Sequence, residues 1–221
     1  MPLPWLEKAI HDTVESLTEC LKHFWSPHET KARYENALPE TNLAFHLFHA
    51  CMNQETKIFG YPEVACGPLI TDGRLDLMLF HPSDERARDP VIVLVEFKRF
   101  NNVGHAREII SDIERMTRFQ LSGYNGRFPI MGNNVQRYGL IMNLTWEEKY
   151  TEWWMNSDGE NKPKKAISPD WSKLSRYIGN RCVKKGHEKV DHGWSNYHEM
   201  LYAYFPINVL LCNQREMPDL V

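Results

Sequence analysis

Two carboxylates and a lysine interrupt the most apolar stretches of this 221-residue chain. Asp76 lies inside GRLDLMLF, and Glu96 and Lys98 lie near the end of VIVLVEFKRF. Charges in a buried strand are costly unless they are paired or bind a ligand. Two neighbouring carboxylates repel each other, and a divalent cation such as Mg²⁺ removes that repulsion. A lysine beside them can stabilise charge on a phosphate, so the three residues predict the chemistry of phosphodiester hydrolysis.

Strand geometry predicts that these three side chains meet. Side chains alternate between the two faces of a strand, so Glu96 and Lys98 share one face with Ile92. If the intervening loop joins two strands as a hairpin in which Phe80 pairs with Ile92, Asp76 lies opposite Glu96. A salt-bridged trio with a purely structural role is the alternative to a functional site.

The surrounding sequence predicts the elements that position these residues. Apolar residues recur every three or four positions from Leu6 to Phe24 and predict an amphipathic first helix; helical spacing returns at 43–52 and through AREIISDIERMTRFQL, as far as Leu121. The strand-like runs are KIFGYPEVACGPLIT, GRLDLMLF, VIVLVEF and RYGLIMNLT. This order predicts an α/β (α+β) fold in one domain, 1–221, with a central mixed sheet of four or more strands flanked by helices.

The charged motif resembles that of the PD-(D/E)xK nucleases, also called the restriction-endonuclease-like superfamily. The matching residues are Asp76, a spacer of nineteen residues, and Glu96-Phe97-Lys98. Leu75 stands where the family usually has a proline before the aspartate. The resemblance covers 30–145 and implies a core in the order α-β-β-β-α-β, with 1–29 as an N-terminal helical extension and 146–221 as a C-terminal extension.

Two further segments are similar to family motifs. ENALPETNLAFHLF resembles the opening of the family's first core helix, which carries an additional glutamate; this match assigns Glu35, and Glu40 is the alternative. Gln120 to Tyr124 is similar to a Q-x-x-x-Y motif in which the glutamine supports the active site and the tyrosine faces nucleic acid.

The resemblance implies a metal-dependent hydrolase that cleaves nucleic acid, with DNA favoured over RNA, in defence or DNA repair. Mg²⁺ or Mn²⁺ would be held by Asp76, Glu96 and the carbonyl of Phe97, with Glu35 nearby, and the products would carry a 5′-phosphate and a 3′-hydroxyl. Lys98 would act on the attacking water. A catalytically silent module for nucleic-acid binding or protein interaction is the alternative function. A homodimer or a partner protein is compatible with either reading.

Positive charge is concentrated in two segments although the net charge is −3. Seven Lys or Arg face three Asp or Glu in 97–137, and nine face three in 160–190. A basic face suits a polyanion, while a solvated surface of mixed charge explains the same counts. The predicted nucleic-acid contacts are Arg99, Tyr124, Lys164, Lys165, Lys184 and Lys185.

The remaining features narrow the class of protein. Five scattered cysteines form no C-x-x-C pair, which argues against a disulfide framework or a zinc knuckle. MPLPWLEKAI lacks the features of a secretion signal and no run is long enough to span a bilayer, so we expect a cytoplasmic protein with no membrane partner. Trp153 and Trp154 are expected in the core. FPINVLLCN, from Phe205, is expected to form a last buried strand or a docking segment.

Overall fold

The computed structural model describes residues 2–24, 40–55, 57–66, 73–82, 89–100, 104–119, 135–155, 169–179, 182–191 and 198–207. Within these ranges the helices are α1 (Pro4–Phe24), α2 (Glu40–Met52), α3 (His105–Arg118), α4 (Glu148–Met155) and α5 (Pro169–Ile178). The strands are β1 (Phe59–Ala65), β2 (Arg74–His81), β3 (Val91–Arg99), β4 (Gln136–Thr145), β5 (Lys184–Lys189) and β6 (Glu199–Pro206).

The six strands form one mixed sheet in the order β1-β2-β3-β4-β6-β5. β1, β2 and β3 make an antiparallel meander, and α3 returns the chain so that β4 lies parallel to β3. β6 then pairs antiparallel with β4 and with β5. The predicted mixed sheet flanked by helices is therefore confirmed, and β5 and β6 of the predicted C-terminal extension belong to the same sheet.

The sheet separates two apolar cores. Helices α1 and α2 cover one face, where Val91, Val93 and Val95 of β3 are buried. Helices α3, α4 and α5 cover the other face, where Ile92 and Leu94 are buried. Because β3 is apolar on both faces, it reads as the continuous hydrophobic run expected of a strand covered on both sides.

The N-terminal helix is fixed to the last two strands. The predicted apolar stripe of α1 is buried, and its members are Leu6, Ile10, Val14, Leu17 and Leu21. The backbone N–H of Leu3 donates to the hydroxyl of Tyr204 at 3.2 Å, and that hydroxyl donates to Glu7 Oε1 at 2.7 Å. Lys184 of β5 donates to Glu7 Oε2 at 2.5 Å. A polar anchor thus supplements the apolar contact between α1 and the sheet.

The C-terminal part of the fold confirms one sequence prediction and bears on only the first residues of another. Trp153 and Trp154 are buried, as expected, in the core on the sheet face that α3, α4 and α5 cover, which we call the α3-side core. Trp154 Nε1 donates to the carbonyl of Tyr202 at 3.1 Å. Strand β6, Glu199–Pro206, includes the first two residues of FPINVLLCN, and the part of that segment after residue 207 lies outside the described ranges. Residues 200–205 of this strand, MLYAYF, are buried on both faces of the sheet. No helix in the described ranges is long and apolar enough to cross a membrane.

Candidate active site

The pairing of β2 with β3 brings Asp76 next to Glu96. The strands are antiparallel and Phe80 pairs with Ile92, which confirms the predicted register. The same register, continued from Phe80 back to residue 76 and from Ile92 forward to residue 96, places Asp76 opposite Glu96. Lys98 follows on the same face of β3. This face is the one that α3 covers, because Glu96 and Lys98 both approach side chains of that helix.

Asp76 is held in place by the neighbouring strand. Its Oδ2 accepts a hydrogen bond from the backbone N–H of Phe97 at 2.7 Å. A carboxylate that accepts from the backbone of the next strand has little freedom to turn away. The charge of Asp76 therefore stays beside Glu96, the residue that precedes this donor.

Glu96 is buried and is paired with an arginine from α3. Its side chain is 1% exposed, and its Oε1 accepts hydrogen bonds from Arg115 Nε at 3.0 Å and from Arg115 Nη2 at 2.6 Å. Burial, and next the charges of Asp112 and Asp76, raise the pKa of Glu96 well above its usual range, although Arg115 opposes the shift. The Glu96 carboxyl therefore resists losing its proton, because burial and the two neighbouring acids outweigh the effect of Arg115.

Helix α3 completes a connected set of charges. Asp112 Oδ1 accepts from Arg115 Nη2 at 2.6 Å, and Asp112 Oδ2 lies 3.8 Å from Lys98 Nζ. We call Asp76, Glu96, Lys98, Asp112 and Arg115 the site network. It contains three carboxylates and two cations, which leaves one formal negative charge when all five groups are ionised.

Sequence reasoning missed Asp112 and Arg115, although the sequence contains a signal for the first. Asp112 lies three residues after Ile109 and four before Met116, on the apolar stripe that α3 buries. An acid on a buried helical stripe is unusual unless it has a partner. Arg115, three residues later, occupies the neighbouring position on the helix surface and is that partner.

A glycine at the start of β2 leaves room for the arginine. Gly73 has a φ of +77°, and a Cβ placed there would lie 3.0 Å from Arg115 Cδ. A side chain at this position would be strained by the backbone angle and would crowd the arginine stem. Gly73 therefore serves both the turn into β2 and the placement of Arg115.

The donor chemistry of the site fits a divalent cation. Asp76 and Glu96 each use one carboxylate oxygen for the hydrogen bonds above, and no described residue donates to the other oxygen of either group. Two carboxylates and the carbonyl of Phe97 supply the hard oxygen ligands that Mg²⁺ prefers. In the described ranges, no group of three His, Cys, Asp or Glu residues could hold a metal ion.

Comparison of the chain with known protein families, with curated proteins and with solved structures gives no match.

Several predicted site residues lie outside the described ranges. These are Glu35, Gln120, Tyr124, Lys164 and Lys165. Glu40 is the first residue of α2, a helix that packs on the opposite face of the sheet from Glu96. The choice between the two glutamates stays open.

Helix α3 is shorter than predicted. It ends at Arg118, whereas the helical pattern was expected to run to Leu121. Phe119 leaves helical geometry with φ −58° and ψ 125°, and its ring is buried in the α3-side core. Phe119 therefore ends the helix, with its ring packed in the core on this face of the sheet, and Leu121 lies outside the described ranges.

The predicted basic contacts that fall in the described ranges, Arg99, Lys184 and Lys185, do not lie beside the two carboxylates. Lys184 and Lys185 lie on β5, an edge strand three positions from β3, or roughly 14 Å at the usual strand spacing. Lys184 turns to the α1 side, where it pairs with Glu7. Arg99 alternates with Lys98 and so projects from the opposite face of β3. Their role in nucleic-acid binding stays a prediction.

Proposed function

We propose that this chain is a metal-dependent nuclease with a restriction-endonuclease-like core that hydrolyses phosphodiester bonds, with DNA favoured over RNA. The observation that carries the proposal is the meeting of Asp76, Glu96 and Lys98 on one face of β2 and β3. Charges buried on a central sheet are expensive, so their presence together with an unused oxygen on each carboxylate favours a ligand-binding role.

Each residue of the site network has a part in this chemistry. Asp76, Glu96 and the carbonyl of Phe97 would hold Mg²⁺ or Mn²⁺, which when bound supplies an activated water and offsets phosphate charge. Arg115 occupies Glu96 Oε1 and so presents the other oxygen for binding. Lys98 would donate to the attacking water or to a phosphate oxygen as negative charge develops there. The products would carry a 5′-phosphate and a 3′-hydroxyl.

The test is cleavage of end-labelled single-stranded and double-stranded DNA and RNA by the purified chain, with Mg²⁺, with Mn²⁺ and with EDTA. We expect cleavage with either metal and none with EDTA. Lys98→Ala should lose at least about a hundredfold in rate, since it removes transition-state stabilisation. Lys173→Ala is the matched control, because that lysine also pairs with an α3 carboxylate, Glu114, at 2.6 Å. Equal rates for the two variants would refute the proposed role of Lys98.

A second candidate function is favoured by one feature of the site network. Arg115 already places a cation on Glu96, at 2.6 Å, which is how a silent relative could keep its buried acids without metal. On this reading the chain binds nucleic acid or a protein and does not cut. Calorimetric titration with Mn²⁺ separates the two candidates, because the nuclease should bind the ion and the silent module should not.

A further inference from the structure

One nitrogen of Arg115 is not used by the two carboxylates that hold this side chain. Nε and Nη2 make the three hydrogen bonds to Glu96 and Asp112, and no described residue accepts a hydrogen bond from Nη1. A guanidinium carries five N–H donors, and two of them belong to Nη1. Two donors of Arg115 therefore remain for a ligand as far as the described ranges are concerned.

The direction of these two donors is fixed by the other three. A guanidinium is planar and rigid, so bonds from Nε and Nη2 also set the orientation of Nη1. The Arg115 side chain is 26% exposed, whereas the side chains of Glu96 and Asp112 are 1% and 5% exposed. Arg115 thus presents oriented donors from the most accessible of the three side chains.

The backbone next to Nη1 carries no side chain. A Cβ at Gly73 would lie 3.7 Å from Nη1, in contact with this nitrogen, and the φ of +77° disfavours any residue that has a Cβ. Glycine therefore keeps side-chain atoms of its own away from Nη1. Oriented donors without a neighbouring side chain at this position can receive an oxygen atom of a ligand.

The surroundings of the guanidinium favour a phosphate as that ligand. Arg115 donates to Glu96 Oε1, and the other oxygen of the same carboxylate is the one assigned above to the proposed metal. A phosphodiester bound at that metal would consequently come close to the guanidinium. Arginine is suited to phosphate oxygens because its planar fork gives strong, directional, charge-assisted hydrogen bonds.

We propose that Arg115 is a substrate-binding residue whose Nη1 donates to a non-bridging phosphate oxygen of the bound nucleic acid. Nε and Nη2 keep their hydrogen bonds to Glu96 and Asp112 meanwhile, so one guanidinium joins a metal ligand to the substrate. This inference rests on the proposed nuclease function and adds to it a contact with the substrate backbone.

Arg115→Lys tests the contact with the least damage to the site. A lysine ammonium reaches about as far as the centre of the guanidinium, so it keeps a cation beside Glu96 but has no nitrogen in the place of Nη1. Fluorescence anisotropy with a labelled DNA oligonucleotide in EDTA measures binding without cleavage. Affinity should fall about tenfold, the value of one charge-assisted hydrogen bond. Mn²⁺ affinity, measured by calorimetric titration, should change far less.

Arg118→Lys is the matched control. Arg118 is exposed on the last turn of the same helix, and its Nε donates to the backbone carbonyl of Glu114 at 3.2 Å. The substitution is chemically identical and lies three residues from Arg115, outside the site network. Its affinity for the oligonucleotide should equal that of the wild type.

Neutral phosphates in the oligonucleotide identify the partner of Arg115. A series of oligonucleotides, each with one methylphosphonate, should contain a position that weakens binding by the wild type about tenfold. At that position Arg115→Lys should lose no further affinity, because the contact is already absent, whereas Arg118→Lys should lose as much as the wild type. Such non-additivity is the signature of two groups in direct contact, and a purely structural role of Arg115 would not produce it.

A second pair of variants serves if Arg115→Lys does not fold. In Glu96→Gln the buried carboxylate no longer needs a cation, so adding Arg115→Met removes the guanidinium with little loss of stability. The double variant should bind the oligonucleotide more weakly than Glu96→Gln, with a salt dependence smaller by about one phosphate contact.

Three outcomes overturn the inference. The first is unchanged DNA affinity in Arg115→Lys. The second is a methylphosphonate effect in Arg115→Lys as large as in the wild type at every position. The third is a wild type that binds no DNA. If the wild type binds DNA but cleaves none with Mg²⁺ or Mn²⁺, the nuclease proposal fails, and the methylphosphonate series still decides whether Arg115 contacts a phosphate.

Discussion

Two charge networks in this protein use similar groups in opposite surroundings. The site network lies between β3 and α3, where the Glu96 and Asp112 side chains are 1% and 5% exposed. The surface network joins α1 to β5 and consists of Glu7, His11, Lys184 and Glu188. In this second network the Lys184 side chain is 43% exposed and the His11 side chain 58%.

The difference in burial between the two networks indicates that they have different roles. Ion pairs at a surface contribute little, about 0–1 kcal/mol, and are inexpensive to keep. Buried pairs lose so much hydration that apolar residues often do as well or better. Surface ion pairs are sufficient to attach a helix to the rest of a fold, and α1 is attached to β5 in this way through Glu7 and Lys184. The buried kind, with an excess carboxylate, is what the proposed metal site would require.

The largest effect should come from breaking the buried network at its arginine. Arg115→Met leaves Glu96 without its hydrogen-bond donor beside two other acids, and the free energy of unfolding at pH 7 should fall by about 3 kcal/mol. Urea denaturation measures the loss. In the double variant with Glu96→Gln most of it should return, because the buried charge is gone. A loss below about 1 kcal/mol for Arg115→Met would make the two networks equivalent and remove the contrast.

Metal should stabilise the wild type by the next largest amount. At ten times the dissociation constant, Mg²⁺ or Mn²⁺ bound to the native state adds about 1.4 kcal/mol. Thermal unfolding should show a similar gain for Lys98→Ala, which removes no ligand, and little gain for Asp76→Ala. The apoprotein of Asp76→Ala should be no less stable than the wild type, because one of the repelling carboxylates is absent. Identical responses from all three proteins would show that the ion binds elsewhere.

A smaller effect is expected at the surface network. Glu7→Gln and Lys184→Met should each cost less than about 1 kcal/mol, and a double-mutant cycle should assign about 0.5 kcal/mol to the pair. Glu7 also accepts from Tyr204, and the amide of Gln keeps an acceptor for that hydroxyl. The coupling should shrink at high salt. A coupling that exceeds the loss in Arg115→Met would reverse the comparison.

The smallest effect is the pH response of His11. The Glu188 carboxylate, at 2.9 Å, raises the pKa of His11, and Glu15 and Asp12 add to the shift. The native state therefore binds the proton more tightly than the unfolded chain does. This stabilisation is complete below the unfolded pKa, about 6.5, and is lost as pH rises through the higher native pKa.

His11→Gln should accordingly flatten part of the decline in stability between about pH 6 and pH 8. Melting curves of both proteins across that range measure it. An unchanged pH profile would show that this histidine is too well solvated to matter.

The strands that carry the candidate site were predictable because each is a short, mostly apolar run of strand length. The alternation of side chains along any strand assigned Glu96 to its face, and the hairpin register followed from pairing Phe80 with Ile92. The contribution of α3 was not predictable in the same way. Which residue of that helix reaches Glu96 depends on how the helix lies across the sheet, and local spacing does not encode that angle. The polar edge strand KKGHEK was not predicted for another reason: it has too few apolar residues to show an alternation.

The anchoring of α1 has a consequence for the order of folding. Its polar partners on β5 and β6 follow it by 177 to 201 residues. At typical rates of synthesis that interval is roughly 10 to 40 s, during which the apolar stripe of α1 lacks its final cover. Contacts of such long range form late and slow the overall reaction. The central strands β2, β3 and β4 can pair well before then, so α1 should dock last, and a nascent chain held short of β5 would expose this helix to chaperones or to aggregation.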